Sequence, residues 1–137
     1  MNKRNLATLA IASLLVIGFN NALSAQNRYS NVKSVEEFEE EYEKDGTTKK
    51  FKTSESKFDK DGNEIEVIEY EEGKFSEKHE YTYDEKGNKI TDFKTKADGK
   101  KERIEYKYDE NNLRTEKLEY SEKGRLKSRK TYIYKMK

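Results

Sequence analysis

An aromatic residue, an aspartate and a Gly/Asn turn signal recur three times in this chain at an interval of 25 residues. The three copies are Phe58-Asp59-Lys60-Asp61-Gly62, Tyr83-Asp84-Glu85-Lys86-Gly87 and Tyr108-Asp109-Glu110-Asn111-Asn112. A period of that length with a turn inside it is too short for a helix pair plus connections and fits one β-hairpin per unit. The repeat therefore predicts stacked hairpins, and it constrains the fold more than any single residue does.

The strands on either side of the turns carry a period-2 pattern. Phe75, Glu77, His79, Tyr81 and Tyr83 alternate with Ser76, Lys78, Glu80 and Thr82. The next unit sets Ile104, Tyr106 and Tyr108 against Arg103, Glu105 and Lys107, and the last sets Leu126, Tyr132 and Tyr134 against Lys127, Arg129 and Thr131. Alternation of this kind is a strand with one apolar face. Asp45-Gly46, Asp61-Gly62, Glu72-Gly73, Lys86-Gly87, Asp98-Gly99 and Lys123-Gly124 supply the glycines that tight hairpins place at positive φ. The expected fold is all-β: an antiparallel meander of about eight strands, forming a curved single sheet with one aromatic face.

Two-residue turns at Asp61-Gly62 and Lys86-Gly87 set Phe58 opposite Ile65 and Tyr83 opposite Ile90. Further along the return strands the parity slips, because Ile68, Phe93 and Leu118 then point away from the aromatic face. One extra residue per return strand corrects this, which predicts β-bulges near Val67, Asp92 and Lys117.

Residues 1–25 stand apart from the repeats. Lys3 and Arg4 precede a 14-residue apolar run from Leu6 to Phe19, followed by small residues at Ala22, Ser24 and Ala25. That order is a secretory signal peptide, cut after Ser24 or Ala25, and the run is shorter than the roughly 20 residues that span a bilayer. The expected location is secreted or periplasmic, with no integral membrane anchor after cleavage. Residues 26–35 read as a flexible N-terminal segment and 36–137 as the repeat domain. Within the lead-in, Ser34 with Glu37 resembles a capping box and Val35, Phe38 and Tyr42 fall at helical spacing. The likeness of Tyr42-Glu43-Lys44-Asp45-Gly46 to Tyr70-Glu71-Glu72-Gly73 favours a strand over about 37–44 instead.

The 112 residues after the leader hold 27 basic and 28 acidic side chains, a net of −1 with interleaved signs. Such balance argues against a nucleic-acid partner. Leu, Ile, Val and Phe number only 16 of those 112, so the aromatic residues must supply much of the buried surface. With no cysteine in the chain, no disulfide contributes, which fits a bacterial envelope protein. The many strand lysines discourage pairing of sheet edges between copies.

The motifs Tyr81-Thr82-Tyr83-Asp84-Glu85-Lys86-Gly87 and Tyr106-Lys107-Tyr108-Asp109 resemble the YD repeat of Rhs-type bacterial proteins, Tyr-x-Tyr-Asp-x-x-Gly followed by an aliphatic residue. The resemblance covers about residues 56–137. It departs at Phe58, at Asn112, at Tyr132-Ile133-Tyr134-Lys135, which lacks the aspartate, and at Ile90, one place late. The chain also resembles small secreted β-meander proteins of Bacteroidetes-type bacteria. The resemblance implies hairpin repeats and makes carbohydrate a candidate ligand. Three or four units cannot enclose a cargo as the large Rhs shells do.

For chemistry, His79 is the one histidine and no nucleophile is marked beside it, so no catalytic residue is assigned and no enzyme is expected. Asp59-x-Asp61-Gly62-Asn63 fails as a calcium loop because Glu64 and Ile68 stand where an aliphatic and a glutamate belong. No metal and no cofactor is expected. The one constellation suited to binding is Tyr81, Tyr83, Tyr106, Tyr108, Tyr132 and Tyr134, whose flat rings and polar tips suit a glycan or an envelope protein. The same six residues serve equally as the packed core of the sheet. The expected function is a non-enzymatic binding or structural module of the bacterial envelope. The alternative is a carrier that shelters a lipid or other apolar ligand on the concave face. A homodimer through the aromatic face would also cover it.

Overall fold

The computed structural model describes residues 28–137, so the leader lies outside the described residues. Eight strands follow one another: β1 (Ser34–Tyr42), β2 (Thr48–Phe58), β3 (Glu64–Glu71), β4 (Lys74–Tyr83), β5 (Lys89–Lys96), β6 (Lys101–Tyr108), β7 (Arg114–Ser121) and β8 (Leu126–Thr131). They form one antiparallel sheet in the order β1 to β8, an open meander in which each strand pairs only with its chain neighbours. The segment with two sequence readings is strand β1, paired with β2 from Ser34↔Lys57 to Tyr42↔Thr48. Ahead of it, residues 28–33 reach β2 through Tyr29 and Lys33. The Tyr29 ring stacks on Phe58 at 4.6 Å, and the Phe58 amide donates to the Lys33 carbonyl.

The turns determine the register. At the first repeat the Asp59 amide donates to Asn63 O and the Gly62 amide to Asp59 O, with Gly62 at φ 82°. The same pair of bonds recurs at Asp84/Asn88 and Asp109/Leu113, with Gly87 and Asn112 in the left-handed region. These are three-residue hairpins, a tight turn followed by one residue at positive φ. They differ from the expected two-residue turns, which occur only at Glu72-Gly73 among the described residues, where both φ values are positive. The Asp59 carboxylate reinforces its turn by accepting the amides of Asp61 and Asn63, each at 2.9 Å. Asp84 and Asp109 do the same for theirs.

The longer turn moves the bulges. Phe58 pairs with Glu64 and Tyr83 with Lys89, so the extra residues are Ile65, Ile90 and Thr115, immediately after the turn. Beyond them the ladders through Val67, Asp92 and Lys117 are regular, which overturns the bulges expected there. The consequence is a different distribution of side chains, because directly opposed residues share a face. Tyr81, Asp92, Ile104 and Glu119 form one cross-strand row. Glu80, Phe93, Arg103, Tyr120 and Leu126 form a row on the other side, joined there by Ile68 and by Leu118. Ile68, Phe93 and Leu118, expected under the tyrosines, therefore line the opposite face, while Ile104 stays with Tyr81 as expected.

Each face keeps its own small core. On the aliphatic side Leu118 is 3% exposed, and on the tyrosine side Asp92 is 6% exposed. Phe93, Phe75, Ile65 and Leu126 stay partly in water. Truncating Leu118 removes the best-buried aliphatic side chain, and Leu118→Ala is expected to cost about 2–4 kcal/mol in urea unfolding. At Gly99, φ is 83° and an added Cβ meets nothing within 4 Å, so only backbone strain opposes substitution. Gly99→Ala should cost about 1 kcal/mol, and Gly99→Asn less, since Asn112 already holds this conformation.

Candidate functional site: the tyrosine and cation face

The repeat places a tyrosine two residues apart from a second one at the end of β4 and again at the end of β6. The second tyrosine of each pair is a tether. The Tyr83 hydroxyl donates to Glu64 O at 2.6 Å, Tyr108 to Lys89 O at 2.7 Å and Tyr134 to Arg114 O at 2.8 Å. Each bond fastens the end of one strand to the first residue of the strand before it. Acceptor residues 64, 89 and 114 repeat at the same 25-residue interval. Asn88 Nδ2 also donates to Asn112 Oδ1 at 3.0 Å, linking two successive turns.

The first tyrosine of each pair carries a cation. Lys89 Nζ lies 3.2 Å from the centre of the Tyr81 ring, and the Arg114 guanidinium lies 4.3 Å from that of Tyr106. Tyr132 has Lys130 at 5.4 Å. These contacts are worth about 0.5–2 kcal/mol each, the larger figure where water is excluded. Burial lowers the Lys89 pKa, with Asp92 and Glu64 opposing the shift, so its ammonium is held by the ring and by nearby charge in place of bulk water. Burial raises the phenols of Tyr81 and Tyr83 well above their ordinary value, and pushes Tyr106 up to about 12. All remain neutral donors at physiological pH.

At the centre of this face sits a half-buried ionic cluster around the buried Asp92. His79 Nδ1 lies 2.8 Å from Asp92 Oδ1, and His79 Nε2 lies 3.0 Å from Glu77 Oε1. Both ring nitrogens face carboxylate oxygens, and only imidazolium has a proton to give each of them. Burial disfavours that charge, yet the bonds to Asp92 and Glu77 outweigh it and the His79 pKa rises above 6.5. Lys94 Nζ, 3.0 Å from the same Glu77 oxygen, completes the balance. The imidazole is occupied on both sides, a binding arrangement that leaves no free base nitrogen.

Glu69, Glu77 and His79 each bring one ligand atom within 4.8 Å of the others, a donor set a divalent cation can use. The Lys94 ammonium already holds the Glu77 oxygen, so a metal there would have to displace it. Of the six tyrosines expected to bind, Tyr81 and Tyr106 lie in the interior of the face, Tyr83, Tyr108 and Tyr134 spend their hydroxyls on backbone, and Tyr132 lies just past β8. Sequence reading missed Asp92, Lys89 and Arg114. The 25-residue spacing of Lys89 and Arg114, each two places after the positive-φ turn residue, was the available signal for two of them.

The ionic cluster gives a signed pH dependence. A histidine whose folded pKa is raised contributes stability that is complete below about 6.5 and is lost as pH rises through the folded value. Stability measured by urea unfolding should therefore fall as pH rises above about 6.5, and His79→Gln should remove that component of the slope. Asp92→Ala should cost about 2 kcal/mol at about pH 6, where the imidazolium loses one of its two carboxylate partners, and less as pH rises. A comparison with protein-family models and with curated proteins finds no match for the chain.

Proposed function

We propose that this chain is a non-enzymatic structural or binding module of a bacterial envelope, working in the periplasm or outside the cell. The observation that carries the reading is the use of the repeated tyrosines. Three of their hydroxyls are tied to backbone carbonyls and the Tyr81 and Tyr106 rings are covered by Lys89 and Arg114, so the repeat is spent on holding a long single sheet. A chain organised this way presents surface rather than a reaction centre. The double engagement of His79 by Asp92 and Glu77 supports the same reading.

The register weighs against the lipid-carrier alternative. A carrier gathers its apolar residues into one cup, whereas here Ile68, Phe93 and Leu118 line one face and Tyr81 and Tyr106 the other. A glycan stacking on Tyr81 would compete with Lys89 for the covered side of the ring. Lys89 and Arg114 on this face suit an acidic glycan or an acidic envelope protein, which can take over the cations as it displaces water.

The purified chain is expected to bind acidic glycans or envelope extract in an array or pull-down. Lys89→Ala/Arg114→Ala should weaken that binding by roughly tenfold or more. Capture unchanged in the variant, with the β-sheet circular dichroism intact, would remove this face as the binding surface. Intact mass of the exported protein should begin at Ala25 or Gln26, and an uncut chain retained in the cytoplasm would refute the location.

A further inference from the structure

We propose that the two open edges of the sheet are the two halves of one interface, so that β8 of one copy pairs antiparallel with β1 of the next. This interface is separate from the tyrosine face, and either can fail without the other. The outer edges of β1 and β8 have no strand partner among the described residues, and an edge strand offers a row of free amides and carbonyls to another chain. Eight is an even number of alternating strands, so β8 and β1 run in opposite directions. A copy added in the plane of the sheet continues the meander without a change of pattern.

Charge selects this pairing over others. β1 carries five glutamates, Glu36, Glu37, Glu39, Glu40 and Glu41, and no basic residue. β8 carries Lys127, Arg129 and Lys130 and no acid, and all six of its residues are exposed. Two β1 edges or two β8 edges repel, whereas β8 against β1 attracts. Lysine-rich strands therefore do not forbid edge pairing here; they direct it. The same rule operates inside the sheet, where β2 lies between β1 and the four glutamates of β3. There Lys52 is ion-paired with Glu36 on one side, and Lys57 with Glu66 at 2.8 Å on the other.

Apolar side chains agree with the charges. Phe38 is 53% exposed in the middle of β1, Tyr42 is 78% exposed at its end, and Leu126 is 42% exposed at the start of β8. The register puts Phe38 and Leu126 on the same face, opposite Lys52 and Tyr120 respectively. The turns that follow β1 and precede β8 lie at the same end of the sheet, so an added copy brings Leu126 beside Tyr42. Such a contact is heterologous, one edge meeting a different edge, and it propagates along a line unless rotation closes it into a ring.

Sedimentation velocity tests this on the exported chain, which lacks the apolar run from Leu6 to Phe19. At about 20 mM salt the mass should grow with concentration past the dimer, and about 0.5 M salt should weaken association by tenfold or more. Glu39→Lys/Glu40→Lys/Glu41→Lys, which turns β1 net basic, and Arg129→Glu/Lys130→Glu, which turns β8 net acidic, should each stay monomeric alone, and mixing the two should restore association, since one then has two basic edges and the other two acidic ones. A parent chain that stays monomeric throughout, or reversed chains that associate as the parent does, would overturn the proposal. Hydrogen exchange on the unaltered chain is the second measurement. Protection in residues 36–41 and 126–131 should rise with concentration, and no rise also overturns it.

Discussion

The hairpin turn is the constraint on which the rest of this structure depends. Each Asp-led turn needs one residue at positive φ, supplied by Gly62, Gly87 and Asn112. That requirement makes the loop one residue longer than a minimal hairpin and places the bulge directly behind it. Register, and with it the choice of face for every later side chain, follows from that placement. Lys89 and Arg114 reach their tyrosines because they stand just before the bulged residues, where the strand is bent.

The two faces solve the shortage of aliphatic residues differently. Around Leu118 the solution is ordinary apolar contact. Around Asp92 it is a network of charge and aromatic rings in which few members are apolar, and the tyrosines cover cations instead of methyl groups. Buried ionic groups add less net stability than their contacts suggest, because each must be taken out of water. What such a network supplies is selectivity, since a one-residue slip would leave Asp92 and His79 facing nothing.

Much of this was legible in the sequence, and the failures share one cause. Strand number, the meander and the turn positions follow from the 25-residue spacing and the glycines, which are local signals. The need for a bulge was legible too, from the parity of Ile90 and Phe93. Its position was not, because a two-residue and a three-residue turn around Lys86-Gly87 have the same letters and differ only in which amide reaches Asp84. Assigning Ile68, Phe93 and Leu118 to the tyrosine face inherited that error. Asp92 was invisible as a site residue for a related reason: a lone aspartate in a strand reads as solvent-facing until its register sets it against Tyr81 and beside His79.

A sheet one layer thick keeps nearly every side chain within one atom layer of solvent, and Leu118 and Asp92 are the buried exceptions. Heat capacity of unfolding scales with the apolar surface newly exposed, less a polar contribution of opposite sign. This chain hides little of the first, while the hydrogen-bonded backbone of eight strands withdraws much of the second. Its stability curve is therefore shallow, changing slowly with temperature on both sides of its maximum.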